Sequence, residues 1–243
     1  TLPPLVGNLL ATLDWRLTLQ LLAAGLLVVL WLAILAGTPR GVVGTASGGD
    51  HAAAAGLYRD PAFWLIGLCV ALVLNVSIVL AVCYPPHFVS QGYSVADVGW
   101  FLALSGLAGL VGKACLAWLG DATRHFAKWV AMGLLSCQIA GLLLLFTAAD
   151  TADVIVGICL AGFGIGAFIP MHPYLNSRYF DASIISQVNG AQMPLFLPFA
   201  LVGAPLAGYT YDQTGSYSAV LVGLAVTLGV AGLLLLRLAA ATR

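Results

Sequence analysis

The sequence predicts an all-α polytopic membrane protein with seven full spans. Three observations carry that expectation. Among 243 residues there are nine basic and nine acidic ones, 7% charged in all, where a soluble domain carries about 25%. Apolar types make up 61% of the chain, and the mean hydropathy is +1.03. The apolar residues run in unbroken stretches long enough for a hydrocarbon core of about 30 Å, which takes about 20 residues as helix. They do not alternate, and they are about twice as long as a barrel strand, so the spans are helices.

The same figures exclude other classes. Too few charges remain to coat a water-soluble globule, and the apolar excess excludes disorder. Nine basic residues offset by nine acidic ones leave no basic patch for a phosphate backbone, so no nucleic-acid partner is expected.

Charge-free windows place the spans at 17–37, 62–84, 97–119, 127–148, 153–174, 187–209 and 216–237. Residues 1–12 read as the tail of a further span. The connectors carry turn chemistry. Pro85-Pro86 ends the second span, Asp150 to Asp153 makes a tight link, and Asp212-Gln213-Thr214-Gly215 makes another. The long connector 38–60 holds Gly48-Gly49, Pro39, Asp50, His51 and Arg59 and reads as an interfacial or flexible linker. Thr1 is not a start methionine and no signal peptide is evident, so a fragment is expected.

Orientation follows from the basic residues. Numbering the loops alternately puts Arg40, Arg59, Lys113, Arg124, Lys128, Arg178, Arg237 and Arg243 on one side and only Arg16 on the other. The eight-residue side is cytoplasmic by the positive-inside rule, and the C-terminus with it. Loops 85–96, 149–152 and 210–215 then face outside.

Few residues inside the spans could do chemistry. Lys113 stands eight residues before Asp121, about 12 Å along a helix at about 1.5 Å per residue. An ammonium at that depth is a functional candidate, with snorkelling to the headgroups as the alternative. Gly109, Gly112 and Ala117 nearby place it on a protein-facing side. Asn75 and Ser77 sit midway along the second span. Asn189 and Gln192, three apart, share a helical face. Interior amides line a polar path or link helices by hydrogen bonds; Ser136 and Gln138 face different ways, and one of them is inter-helix glue. His87 is a candidate at the outer mouth, and all four histidines fall at span ends or in loops. Gly106, Gly109 and Gly112, and Gly162, Gly164 and Gly166, mark close helix packing or a hinge.

Enzyme readings fail on their required residues. No Lys lies within 216–236 for a retinal Schiff base. No facing Asp pair and no G-x-S-G nucleophile are present for an intramembrane protease. The five cysteines never form C-x-x-C and read as small buried hydrophobes, so no metal site and no cofactor are expected.

Gly112-Lys113, then Trp118-Leu119-Gly120-Asp121 and Arg124, lies at a helix–loop–helix junction. The run resembles the second copy of the loop motif of the major facilitator superfamily, between helices 8 and 9. Gly92-Tyr93-Ser94 is similar to that family's helix 7–8 connection, Asp14-Trp15-Arg16 to its helix 5–6 junction, and Arg178-Tyr179-Phe180 to its helix 10–11 loop. Gly208 to Tyr217 resembles the helix 11–12 turn of the monocarboxylate-porter and oxalate–formate-exchanger branch. Pro4-Leu5-Val6-Gly7 matches the end of a helix 5 stretch that some members carry.

The resemblance implies a twelve-helix fold, of which this chain holds the end of helix 5 and helix 6 (1–37), the central cytoplasmic loop (38–60) and a six-helix transport half (61–243). It implies secondary transport of a small organic solute, a monocarboxylate-like anion, by alternating access, with a coupling proton or counter-transported anion as partner. The alternatives are efflux of a hydrophobic compound and a non-transporting sensor. Site candidates are Lys113, Asn75, Asn189, Gln192 and His87 for substrate, and Asp121, Arg124, Lys128 and Arg178 for the gating loop. The location implied is a multi-pass protein of the plasma membrane, the bacterial inner membrane in particular. Two positions depart from the loop motif: Ala117 replaces its Gly and Ala122 its Arg. In the branch's helix 8 pair, Lys113 replaces Arg and Gly109 replaces Asp, so the cation is kept without its carboxylate.

Overall fold

Three of the described helices start at side-chain caps, at positions where the sequence turns polar. A computed structural model describes residues 15–37, 56–120 and 122–239. By internal contacts the chain divides into Thr1–Gly49 and Asp50–Arg243. The first unit contributes one described helix, α1 (Trp15–Gly37), with an apolar stretch over Arg16–Leu32. The expected helix 5 tail at 1–12, the junction residue Asp14, most of the connector 38–60, and Asp121 lie outside the described residues.

The second unit is built from α2 (Pro61–Ser90), α3 (Val95–Leu119), a 3-10 turn (Arg124–Phe126), α4 (Ala127–Thr147), α5 (Thr151–Tyr179), α6 (Ile185–Gln192), a 3-10 turn (Met193–Leu195), α7 (Phe196–Thr214) and α8 (Ser218–Leu236). No strand occurs among the described residues. Among the described residues six helical segments are long and apolar enough to cross a membrane, α6 and α7 counting together as Ile185–Thr214.

Caps explain the starts of α2, α3 and α5. Asp60 accepts from the Ala62 N–H at 2.8 Å and Pro61 takes the first helical position, where its missing N–H is no loss. Ser94 and Asp97 form a reciprocal capping box on α3. Asp150 accepts from Asp153 N–H at 2.9 Å to open α5. Each such cap stabilises its helix by about 1 kcal/mol. At the other end of α7, Gly215 adopts φ +68°, the left-handed conformation in which a helix closes without strain at glycine.

Several ends differ from the sequence reading. Pro85 and Pro86 do not stop α2; the helix carries both and runs to Ser90. A proline inside a helix frees the carbonyl four residues earlier, and near a span end other partners can reach such a carbonyl. Likewise α5 carries Pro170 and Pro173 and continues to Tyr179. The sixth expected span is not continuous. It breaks into a 3-10 turn at Met193–Leu195, with Pro194 in that turn and Pro198 just beyond, where two missing donors unsettle the α ladder.

Helix α5 organises the bundle, packing on α3 along one side and α4 along another, while α8 rests on α2 and α4, and α7 on α2. Glycine sets the closest approach. A methyl group on Gly166 would collide with the backbone of Gly109, and one on Gly112 with the carbonyl of Phe163. Gly162 and Gly166 therefore seat α3, whereas Gly164 faces Gln138 and Leu134 of α4. Gly106 has open space beside it and is not part of the seam. Gln138 is the buried member of its pair, with neither amide atom hydrogen-bonded. Ser136 is exposed and bonds back to the Met132 carbonyl at 3.0 Å.

Candidate solute-binding site

A cavity of about 240 Å³ opens between α2, α5 and the α6–α7 break. Val70, Val73, Leu74 and Ser77 line it from α2, Ile165, Phe168, Ile169, His172 and Pro173 from α5, and Asn189, Met193 and Phe196 from the broken segment. The wall is apolar except for Ser77, His172 and Asn189. The Ser77 hydroxyl donates to the Val73 carbonyl at 3.1 Å, as serine does inside helices. His172 meets Phe196 edge to face, with ring centroids 6.0 Å apart.

Beneath that wall lies a buried polar network. The amide nitrogen of Gln192 donates to the Phe63 carbonyl at 2.8 Å. Its oxygen meets His172 Nε2 at 2.7 Å and accepts from Asn176 Nδ2 at 2.7 Å. Asn176 Nδ2 also donates to Asn189 Oδ1 at 2.6 Å. Gln192 and Asn176 are fully buried, and His172 is nearly so. An unpaired polar group inside a membrane bundle is costly; here four of them hydrogen-bond to one another and join α2, α5 and α6, with only Asn176 Oδ1 of the amide oxygens left without a partner. Gly67 makes the approach possible, since a Cβ there would lie 2.7 Å from Leu195 and 3.1 Å from Gln192.

The sequence candidates scatter around this site. Gln192 and Asn189 belong to it. Asn75 does not: it lines a separate cavity of about 170 Å³ between α2, α7 and α8, packed against Gly203, so it and Ser77 face different spaces. His87 is buried within α2, not in a loop, with Gln91 Nε2 at 3.3 Å and the Tyr217 ring edge-on at 6.5 Å. The expectation of a buried Lys113 is corrected, for its side chain is exposed on α3. Gly112 faces α5, and the next residue is turned by about 100° around a helix of 3.6 residues per turn.

The gating-loop candidates also separate. The Lys128 ammonium donates to the carbonyls of Leu236 at 2.9 Å and Leu238 at 2.6 Å, capping α8. Arg178 is buried in the last turn of α5. Arg124 opens the 3-10 turn, and Asp121 lies outside the described residues. The Tyr174 hydroxyl donates to the Gly120 carbonyl at 2.7 Å, tying α5 to the end of α3.

Sequence reading missed His172 and Asn176. Their signal was present: two polar residues four apart in an apolar run, hence on one helical face, with Pro170 and Pro173 around the histidine.

Comparison with known proteins agrees with this architecture. The family model for the Major Facilitator Superfamily matches residues 1–197. Monocarboxylate transporter 13 of Rattus norvegicus is 28% identical over 168 residues, 63% of this chain and 38% of that protein. The 2-nitroimidazole transporter of Escherichia coli is 29% identical over 176 residues, 70% of this chain and 43% of its own length. Monocarboxylate transporter 12 of Mus musculus is 25% identical over 171 residues, 67% of this chain and 35% of that protein. The matched region thus spans about two fifths of these relatives. With six apolar spans among the described residues, a family match over residues 1–197 and relatives named as transporters, the chain belongs to the Major Facilitator Superfamily.

Proposed function

We propose that this chain is the helix 6–12 portion of a secondary transporter that moves a small organic solute by alternating access. The single observation that carries the reading is the 240 Å³ cavity set at a helix break and backed by a buried polar network. Discontinuous helices beside polar groups are how transporters build solute sites within the bilayer. The residues 61–243 act as one transport half, 38–60 as the central loop and 1–37 as part of the other half.

The solute class we assign first is a monocarboxylate-like anion. Two relatives carry that word in their names, and Lys113 supplies a cation on the surface of the bundle. Asp121, Arg124 and Arg178 serve as the gate at the basic, cytoplasmic side. A second reading, export of a neutral, largely apolar compound, is favoured by the cavity wall itself, where no charged residue lies, and by the 2-nitroimidazole relative. The deciding experiment is uptake by the full-length protein in proteoliposomes. Saturable uptake of labelled short-chain organic acids supports the first reading. Uptake of labelled 2-nitroimidazole without acid uptake supports the second, and no saturable flux of either removes both.

A further inference from the structure

The hydrogen-bond polarity of the cavity's polar corner is fixed by one backbone carbonyl. Phe63 O accepts only, so the Gln192 atom facing it, at 2.8 Å, is the amide nitrogen. The Gln192 oxygen therefore faces His172 and Asn176, and both must donate to it. Asn176 spends its second N–H on Asn189, whose contacting atom is thereby the oxygen. A chain of four residues is thus oriented from a single anchor.

Two consequences reach the cavity, which His172 and Asn189 both line. Neutral His172 carries its proton on Nε2, leaving Nδ1 as the lone-pair acceptor, with no protein partner among the described residues. Asn189 has its oxygen engaged by Asn176 and keeps two amide N–H donors. The corner therefore offers one acceptor and one donor, within walls of Val, Leu, Ile, Met and Phe.

We propose that this corner selects a solute with a neutral planar head carrying a donor beside an acceptor, such as a primary amide, a lactam or an N–H heterocycle, on a compact apolar body. The solute's N–H meets His172 Nδ1 and its acceptor meets Asn189 Nδ2. An ionised carboxylate presents acceptors only, and its oxygen would face the imidazole lone pair. The inference rests on the reading of this cavity as the solute site and takes the second solute class.

The probe is labelled benzamide, bound to the purified full-length transporter at pH 8. Benzoate and N,N-dimethylbenzamide, which lack a donor, serve as competitors. Benzamide is expected to bind about ten-fold more tightly than either, the worth of one hydrogen bond. His172→Phe should remove that preference and leave N,N-dimethylbenzamide unaffected. Should that variant fail to fold, Asn189→Asp keeps the acceptor for Asn176, removes the donors that the probes' acceptors meet, and should weaken benzamide and N,N-dimethylbenzamide alike by about ten-fold. Equal binding of the three probes, no benzamide binding at all, a His172→Phe variant that weakens every probe alike, or an Asn189→Asp variant that binds benzamide as the parent does would overturn the assignment. Flux measured on the same protein separates the two levels. Head-group selection without transport overturns only the transport reading, and transport without selection overturns only this one.

Discussion

Gln192 of α6 and Phe63 of α2, 129 residues apart in sequence, are joined by a 2.8 Å bond from the buried amide to the backbone carbonyl. That bond holds the broken sixth span against the first turns of α2. Replacing Gln192 by Leu removes it and also strands the His172 N–H and one Asn176 N–H. Each orphaned buried donor costs about 1–3 kcal/mol. Gln192→Leu should therefore lower stability by about 3 kcal/mol, read as a depressed melting temperature in detergent. A melting curve matching the parent would show that the network contributes nothing to the fold.

The α3–α5 seam makes a sharper contrast. Gly166→Val drives a side chain into the Gly109 backbone, so the helices must part; loss of folded protein, or a loss above about 3 kcal/mol, is expected. Gly106→Ala, facing open space, should be neutral or stabilise by up to about 1 kcal/mol through helix propensity. Size-exclusion profiles and thermal melts of the two variants check this. Equal behaviour of the pair would refute the seam.

Lys128 separates a structural role from a gating one. Its two bonds close the carbonyl end of α8, where a cation also favours the helix dipole. Lys128→Met should destabilise by about 1–2 kcal/mol and speed hydrogen exchange near the end of α8, with transport per folded molecule unchanged. A slower turnover at parental stability would instead return Lys128 to the gate.

Lys113 tests the anion class. If the exposed ammonium meets a transported carboxylate, Lys113→Ala abolishes anion uptake and Lys113→Arg keeps part of it, since charge persists while geometry changes. If the side chain only reaches the headgroups, both variants transport at the parent rate.

Orientation has its own test. In a cysteine-free background, Ala182→Cys between α5 and α6 should react with a membrane-impermeant thiol reagent only from the cytoplasm. Gln213→Cys, at the end of α7, should react only from outside. Labelling of position 213 from the cytoplasmic side would reverse the topology drawn from the basic residues.

By itself the sequence determined that this is a bundle of membrane helices, and nearly where each one lies. Hydrophobic length and charge scarcity are local quantities, and the link at Asp150 to Asp153 is marked within a few residues, whereas the caps at Asp60 and Ser94 are seen only in the structure. It also marked Asn189 and Gln192, because polar side chains are conspicuous in an apolar run. Only the tertiary structure decided which face each polar residue takes. Lys113 follows Gly112 by one residue and yet is turned outward, since the glycine alone is needed for contact with α5. Asn75 and Ser77, two residues apart, open onto different cavities for the same rotational reason. The partners of Gln192 lie on two other helices, α2 and α5, so their meeting depends on packing, which no local window of sequence contains.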